Sequence, residues 1–363
     1  MRINPLTAIV SFLNFTSAFS IPHPRSNNHE SQVQTIHQFP NPTWVENLAV
    51  RSNGQILVDL VTTPEIYLLD PHPNSTATLV HNFTSDLALL GITETTPDTF
   101  HLIAGNFSLP TLSISPGSYS IYTVDLTSYN PHTNTGALIH HVALLSQSGI
   151  LNGLSTLSAT RGLIVAADSD KGVIWLIDVN TGSYNILLSG PELEKPGTGF
   201  ELGINGIRVL PSLPRVNNNN KDKDEEEDVK WIYFDNQAKG TFHRVPISLS
   251  QRTNTSQIET LATDIAADDF ALDPEMGVAY LACGTRNQVF RVSLNGGVPE
   301  SVLGGLNSTE VANPTSVALA RGGVGMGRGV GRRIFVTTAG GLEAKINGSF
   351  VEGGKVLSYD LDG

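Results

Sequence analysis

A short strand pattern recurs six times along the chain and constrains its fold more than any other feature. Each copy ends in an alternating apolar run, at residues 66–70, 121–125, 174–178, 242–246, 289–293 and 356–360. No segment between the copies has the 3.6-residue spacing of a helix. Because one small sheet leaves apolar faces that only a neighbouring sheet can cover, the copies must pack together. The repetition predicts an all-β fold, a six-bladed β-propeller with four-stranded antiparallel blades. A β-sandwich with accidental similarity between strands is the alternative.

The chain outside this pattern divides into short special segments. Residues 1–20 combine one positive charge, an apolar stretch and small residues near position 20, which predicts a cleaved secretory signal too short to span a membrane. A disordered tail is the alternative. Residues 21–37 are predicted to be a disordered N-terminal segment, and 38–363 a single propeller domain. Residues 211–230 include KDKDEEED and predict a disordered charged loop within the fourth blade.

Composition narrows the range of possible binding partners of the protein. The formal net charge of −12 argues against nucleic acid, because phosphate binding needs basic patches. The single cysteine, Cys283, lies in an apolar run and is predicted to be a small buried core residue. The sequence leaves the oligomeric state open. Asn-x-Ser/Thr acceptors support glycosylation and a location in the secretory pathway or outside the cell; they are Asn74, Asn82, Asn106, Asn254, Asn307 and Asn347.

The first strand of each copy begins at what we call the lead residue. In chain order the lead residues are Glu46, Leu90, Asn152, Asn205, Asp268 and Asn313. In a propeller, equivalent positions at the start of the innermost strands form a ring around one end of the central channel. Nearly all of these residues carry a side-chain oxygen, and carboxylate and amide oxygens are the ligands that Ca²⁺ prefers. Each one alone is consistent with a turn cap, whereas the column together predicts a functional ring.

Apolar residues close to this ring predict a second part of the site. Trp44, Leu90 and Phe270 are candidates for a cup that binds a small hydrophobic substrate, with burial in the core as the alternative. The chain contains no G-x-S-x-G motif, so the sequence gives no sign of a hydrolase nucleophile.

The lead residues resemble the metal-binding set of the SMP-30/gluconolactonase-like propellers. That family uses a Glu in its first blade, Asn residues in its middle blades and an Asp in a later blade. The resemblance implies a divalent cation bound by Glu46, Asn152, Asn205 and Asp268. The glycines that follow the Glu and the Asp in that family are Asn47 and Asp269 here, a departure at positions where a substrate would approach closely.

A narrower resemblance rests on the opening FPNPTWVENLAVRSNGQILV and on DDFALD at 268–273. Both are similar to a secreted fungal branch of these propellers that includes hetero-Diels-Alderases of tropolone–sesquiterpene biosynthesis. The resemblance implies a pericyclase that orients an o-quinone methide and a terpene alkene in the propeller mouth, with no cofactor required. The implied catalytic residues are Asp268 and Glu46, and the implied substrate contacts are Trp44, Leu90, Asn152, Asn205, Phe270 and Asn313.

Three functions therefore remain open, and each makes a different physical demand. A cycloaddition needs its two partners held face to face, which can supply roughly 7–11 kcal/mol, together with a few hydrogen-bond donors. A metal-dependent lactonase or esterase of the gluconolactonase type needs a cation and a carboxylate base, for which Asp268, Asp269 and Glu46 are candidates. A non-catalytic propeller that binds a small molecule needs neither.

Overall fold

The computed structural model describes residues 33–197, 199–211, 229–249, 257–321 and 332–361. Their strands form six four-stranded antiparallel sheets, arranged as the blades of a β-propeller, which confirms the predicted fold. The predicted signal at 1–20, most of the charged stretch at 211–230 and the acceptor Asn254 lie outside the described residues. No helix in the described ranges is long and apolar enough to cross a membrane.

The strands of each blade follow one another outward from the central channel. Blade 1 contains Val45–Val50, Ile56–Leu60, Glu65–Leu69 and Thr78–Asn82, and blade 2 contains Ala88–Thr96, Thr99–Gly105, Ser120–Asp125 and Leu138–Leu144. Blade 3 contains Leu151–Ser158, Leu163–Asp168, Val173–Asp178 and Tyr184–Ser189, and blade 4 contains Ile204–Pro211, Val229–Asn236, Thr241–Ser248 and Glu259–Thr263. Blade 5 contains Phe270–Asp273, Val278–Cys283, Gln288–Ser293 and Glu300–Gly304. The first strands contact one another in cyclic order around the channel.

Blade 6 is completed by a strand from the N-terminal side of the chain. It contains Pro314–Leu319, Arg333–Thr338, Lys355–Asp360 and, outermost, Val33–Gln38. The outermost strand pairs antiparallel with Lys355–Asp360, from Val33 opposite Tyr359 to Gln38 opposite Lys355. The predicted start of the domain at residue 38 is therefore too late. The sequence analysis missed this strand because it is polar except for Val33 and Ile36, of which only Ile36 is fully buried.

Apolar side chains pack between the blades. The described residues form six buried clusters, one between each pair of neighbouring blades, from the blade 1–2 cluster around Phe100 to the blade 6–1 cluster around Ile36. Cys283 is fully buried between blades 4 and 5, as predicted. Each blade thus depends on its neighbours to cover its faces.

Two short elements interrupt this pattern. Blade 2 carries an inserted hairpin, Phe107–Ser108 paired with Ser113–Ile114, whose turn is the 3-10 helix Leu109–Thr111. A second 3-10 helix, Gly284–Arg286, follows the second strand of blade 5. Among the predicted glycosylation positions that are described, Asn74, Asn307 and Asn347 are exposed, whereas Asn82 and Asn106 are half-buried. Glycosylation itself stays a prediction.

The first strands are bulged where the lead residues lie. The pairing register breaks between Val45 and Leu48 in blade 1, and at the equivalent places in blades 2, 3 and 4. The two residues inside each break are the lead residue and the one after it. A bulge bends the strand and changes the direction of its side chains. The lead residue and the residue after it therefore face the channel and do not alternate between the two faces of the sheet.

The register in blade 6 moves the lead position from Asn313 to Thr315. Val317 pairs with Val336 as Leu48 pairs with Val58 in blade 1, which makes Ser316 the equivalent of Asn47. The predicted alignment was therefore two residues early in this blade. The alignment placed Asn313 in the bulge, although it lies before the strand. Sequence alone does not distinguish a polar residue that precedes a strand from one that lies within a bulge.

The closing strand is expected to contribute strongly to stability. Ile36→Ala should lower the free energy of unfolding by about 2–5 kcal/mol, because it removes buried side-chain contacts at the blade 6–1 junction. Gln34→Ala, an exposed position on the same strand, should change it by less than about 0.5 kcal/mol. Urea unfolding measures both. Equal effects of the two substitutions would show that the strand does not close the propeller.

Candidate functional site

One end of the channel opens into a cavity of about 1150 Å³. The predicted site residues Trp44, Glu46, Leu90, Asn152 and Asp268 all line it. Asn205 is buried directly behind, and its Nδ2 donates to Oδ1 of Asp268 at 2.8 Å. Blades 1, 2, 3 and 5 therefore bring their lead residues to one cavity floor. The lead residue of blade 4, Asn205, lies behind that floor and donates a hydrogen bond to it.

Two predicted contacts lie elsewhere. Phe270 is fully buried between blades 4 and 5, where its ring meets Phe242 edge-on with centroids 5.0 Å apart. It follows the residue pair that faces the channel, so strand alternation turns its side chain into the core. The Nδ2 atom of Asn313 donates to the carbonyl of Gly284 at 3.0 Å, and its Oδ1 accepts from the amide of Ala344 at 3.1 Å. Asn313 thus fixes loops and is not among the described lining residues.

The floor of the cavity contains two buried acidic groups. Burial raises the pKa of Glu46 to about 8, although the Trp44 indole donates to its carboxylate at 2.5 Å, and the charges of Asp269 and Glu343 add to the effect. Burial also raises the pKa of Asp268 well above its usual range, with Glu46 and Glu343 as the next causes. The Glu46 carboxyl group is consequently mostly protonated at neutral pH, where it can donate a hydrogen bond, and burial shifts Asp268 in the same direction.

A third acidic residue, Glu343, was missed by the sequence analysis. It lies on the loop between Arg333–Thr338 and Lys355–Asp360 of blade 6 and lines the same cavity. Burial raises the pKa of its carboxyl group to about 7. Because it belongs to no first strand, the lead column could not include it, and no other signal in the sequence marks it.

The cavity wall is apolar. Phe107, from the inserted hairpin of blade 2, stacks on Phe200 from the loop before blade 4, with centroids 5.9 Å apart and planes 8° from parallel. Leu87, Leu112 and Phe200 are large apolar side chains that line the cavity and yet are exposed. Exposed apolar groups gathered at a cavity mouth are typical of surfaces that bind an apolar ligand or partner. The sequence did not predict this wall, because its residues come from loops that lie far apart in the chain.

Beneath the floor, four polar side chains close the channel, and we call them the axial plug: Asn47, Arg208, Asp269 and Ser316. Asn47 Nδ2 donates to Asp269 Oδ2 at 2.8 Å, and Ser316 Oγ donates to Asn47 Oδ1 at 3.0 Å. The Arg208 guanidinium forms an ion pair with Asp269 at 2.8 Å. A smaller cavity of about 450 Å³ lies at the other ends of the first strands. The plug therefore joins blades 1, 4, 5 and 6 across the axis.

Three glycines allow the inner strands to approach one another closely around the axial plug. Gly91, Gly153 and Gly206 follow the lead residues of blades 2, 3 and 4. A Cβ atom on Gly206 would lie 2.7 Å from Asp269 Oδ1 and 2.6 Å from Asp235 Oδ2, and one on Gly153 would lie 2.4 Å from the carbonyl of Asn205. The departure at Asn47 and Asp269 from the gluconolactonase pattern thus has a structural role: these side chains fill the axis that the glycines leave open.

The predicted metal ligands offer a partial fit to a cation. Glu46, Asn152 and Asp268 present hard oxygen atoms to the cavity, the type of ligand that Ca²⁺ takes. One oxygen of each carboxyl group already accepts a hydrogen bond, from Trp44 and Asn205. Within the described ranges, no three His, Cys, Asp or Glu residues are grouped to hold one metal ion. A cation here would therefore depend on amide oxygens and on the ligand.

Comparison with known proteins bears on the function. No family model matches the chain. A protein from Phoma sp named "Putative hetero-Diels-Alderase" is 25% identical over 349 residues, which cover 88% of this chain and 92% of the relative. The chain is related to that protein over nearly its whole length. A protein from Sarocladium schorii named "Putative hetero-Diels-Alderase asR5" is 26% identical over 203 residues, which cover 48% of each chain. The resemblance to this branch is confirmed.

Solved structures show the same fold. A luciferin-regenerating enzyme superposes with a TM-score of 0.56 at 14% identity, over 90% of this chain and 94% of the other. The calcium-binding protein regucalcin from Agrobacterium tumefaciens gives a TM-score of 0.54 at 13% identity, over 90% and 93%. At such low identity these likenesses concern the fold, which is the predicted six-bladed propeller.

Gly206 is expected to be required for stability, because a larger residue does not fit at its position. Gly206→Ala should lower the free energy of unfolding by about 1–3 kcal/mol, because the added methyl group meets the backbone and carboxylate of Asp269. Gly305→Ala is the matched control, since an added Cβ there meets no atom within 4 Å. Urea unfolding compares the two, and an unaffected Gly206→Ala variant would contradict the close approach at the axis.

The raised pKa of Glu46 predicts a pH-dependent stability. Below its ordinary pKa of 4.5 the carboxyl group is protonated in both the folded and the unfolded chain. Between pH 4.5 and about 8 the unfolded chain alone releases the proton, so folding stability falls as pH rises, by up to about 1.4 kcal/mol per pH unit. Glu46→Gln should flatten this fall, whereas Glu300→Gln, at an exposed site, should not. Unfolding curves from pH 4 to 9 measure the slopes, and parallel slopes for Glu46→Gln and the native chain would contradict the prediction.

Proposed function

We propose that the protein is a pericyclase that catalyses an intermolecular hetero-Diels–Alder cycloaddition between a reactive o-quinone methide and a terpene alkene. The observation that carries the proposal is the divided cavity, with an apolar wall above a floor of buried carboxyl groups. Its volume of about 1150 Å³ exceeds the usual range for sites that hold one drug-sized ligand. The relatives named as hetero-Diels-Alderases support the same reaction class.

The floor would bind the heterodiene. Its oxygen carries partial negative charge, which grows as the new carbon–carbon bond forms and the carbonyl oxygen becomes phenolate-like. Carboxyl groups held neutral by burial, at Glu46 and Asp268, can donate hydrogen bonds to that oxygen and polarise the heterodiene. An ionised carboxylate would repel the same oxygen. Activity should therefore decline as the pH rises through about 8, where Glu46 ionises.

The wall would bind the terpene. Phe107, Phe200 and Leu112 offer apolar surface without competing polar groups, so that the alkene can lie over the heterodiene. One carbon–carbon bond and one carbon–oxygen bond then form while the π electrons shift, and no proton or electron leaves the reacting pair. Holding the pair in register can supply roughly 7–11 kcal/mol of the bimolecular barrier.

A metal-dependent lactonase is the second candidate function. The observation that favours it is the set of carboxyl and amide oxygens on the floor, at Glu46, Asn152 and Asp268. A divalent cation bound there would polarise a lactone carbonyl or lower the pKa of a bound water. In that case Glu46 or Asp268 would act as the base, and its carboxyl group would have to be ionised.

The cycloaddition is tested with an o-quinone methide generated in solution and a humulene-type alkene. The purified protein should raise the coupling rate and enrich one stereoisomer, and a chelator should leave both unchanged. Phe107→Ala should raise the KM for the alkene by about 3- to 10-fold, the loss expected for an aromatic contact. Val298→Ala, an exposed apolar site away from the cavity, is the control.

Identical rates and product mixtures with and without protein would overturn the proposal. Hydrolysis of an aromatic lactone that a chelator abolishes and added Ca²⁺ restores would establish the second candidate instead. A ligand that raises the melting temperature, without any turnover of either substrate, would indicate a binding propeller.

A further inference from the structure

Glu343 is the acidic group in the cavity whose hydrogen bonding is incomplete. Its Oε2 atom is shut off from solvent and has no hydrogen-bond partner among the described residues. A carboxyl oxygen in Glu46 accepts from Trp44, and one in Asp268 accepts from Asn205. Buried polar atoms without partners are rare in folded proteins, because desolvation then goes uncompensated. The residue lines the cavity, so a ligand there can take the hydrogen bond that its carboxyl group lacks.

The charge around Glu343 favours its neutral form. Glu46 and Asp268 face it across the same cavity, and no Lys or Arg is among the described lining residues. Asp269 differs, since its carboxylate is paired with Arg208. Burial raises the pKa of Glu343 to about 7, so its carboxyl group is partly protonated at neutral pH and mostly protonated below it. The group can then donate a hydrogen bond.

Gly284 provides the space for this side chain. A Cβ atom at Gly284 would overlap Glu343 Oε2, at a separation of 1.8 Å. Gly284 is not one of the glycines with positive φ, so the backbone conformation does not require glycine there. Its small size therefore accommodates the carboxyl group, which links the blade 5 helix Gly284–Arg286 to the placement of Glu343.

We propose that Glu343 is a catalytic residue, which donates a hydrogen bond from its protonated carboxyl group to the carbonyl-type oxygen of the bound heterodiene. The inference rests on the proposed cycloaddition and adds to it a further hydrogen-bond donor at the reacting oxygen. Glu46 and Asp268, each already bonded to a neighbouring side chain, then complete the polar floor around that contact. No proton is transferred, because the donor polarises the heterodiene and recovers its original state after product release.

Two substitutions separate donation from ionisation. Glu343→Gln keeps a donor of similar size but cannot ionise, so it should retain most of the coupling rate and should weaken the loss of rate between pH 6 and 8. Glu343→Leu removes the donor and should lower kcat by about 10²-fold, the effect of losing one positioned donor to a developing negative charge. Gly284→Ala should act like Glu343→Leu by displacing the carboxyl group. Glu194→Leu, at an exposed site outside the cavity, is the control.

Infrared spectra give a reading that does not depend on turnover. Acetophenone labelled with ¹³C at its carbonyl is an unreactive probe with a conjugated carbonyl oxygen, like that of the heterodiene, and no hydrogen-bond donor of its own. Its carbonyl stretch should shift to lower frequency when bound to the native protein and to Glu343→Gln, and return toward the free value in Glu343→Leu. Urea unfolding of each variant verifies that it is folded.

The outcomes separate the two proposals. If the native protein accelerates the coupling and Glu343→Leu keeps the native rate and the native carbonyl frequency, the role of Glu343 is refuted and the cycloaddition stands. If the native protein does not accelerate the coupling, the cycloaddition is refuted, and the role of Glu343 in catalysis is refuted with it. The carbonyl frequencies then decide whether Glu343 binds a carbonyl ligand.

Discussion

The close approach of six inner strands at one axis is the constraint on which the rest of the structure depends. Strands this near cannot all carry side chains toward the centre, so blades 2, 3 and 4 present Gly91, Gly153 and Gly206 there. Asn47 and Asp269 fill the remaining space from the other side of the axis. The result is a solid hub, which turns an open channel into a cavity with a floor.

That floor has its chemical character because its acidic side chains are buried. Arg208 neutralises Asp269 within the axial plug, but no described cation reaches the acids that line the cavity. Burial and mutual repulsion then raise the pKa values of Glu46 and Asp268. Groups that would be anions in water become hydrogen-bond donors. A fold that only gathers polar residues thereby obtains a surface suited to polarise a neutral substrate.

The apolar wall has a separate origin. It is built from the inserted hairpin of blade 2 and from loops between blades, while the floor is built from the first strands. The wall and the floor therefore belong to different structural elements. In such an arrangement the rigid hub can keep the polar contact in place while changes in the loops alter which hydrophobic partner fits.

The sequence by itself determined the six-fold repeat, the propeller, the buried Cys283 and the convergence of Glu46, Asn152, Asn205 and Asp268. These follow from strand alternation and from the equivalence of blades, which are local and repeated properties. Only the tertiary structure decided that Thr315 replaces Asn313, that Phe270 lies in the core, and that Glu343 joins the site. A bulge shifts register by its backbone geometry, and a loop residue reaches a cavity by the path of its chain. Neither property produces a repeating pattern in the amino-acid sequence.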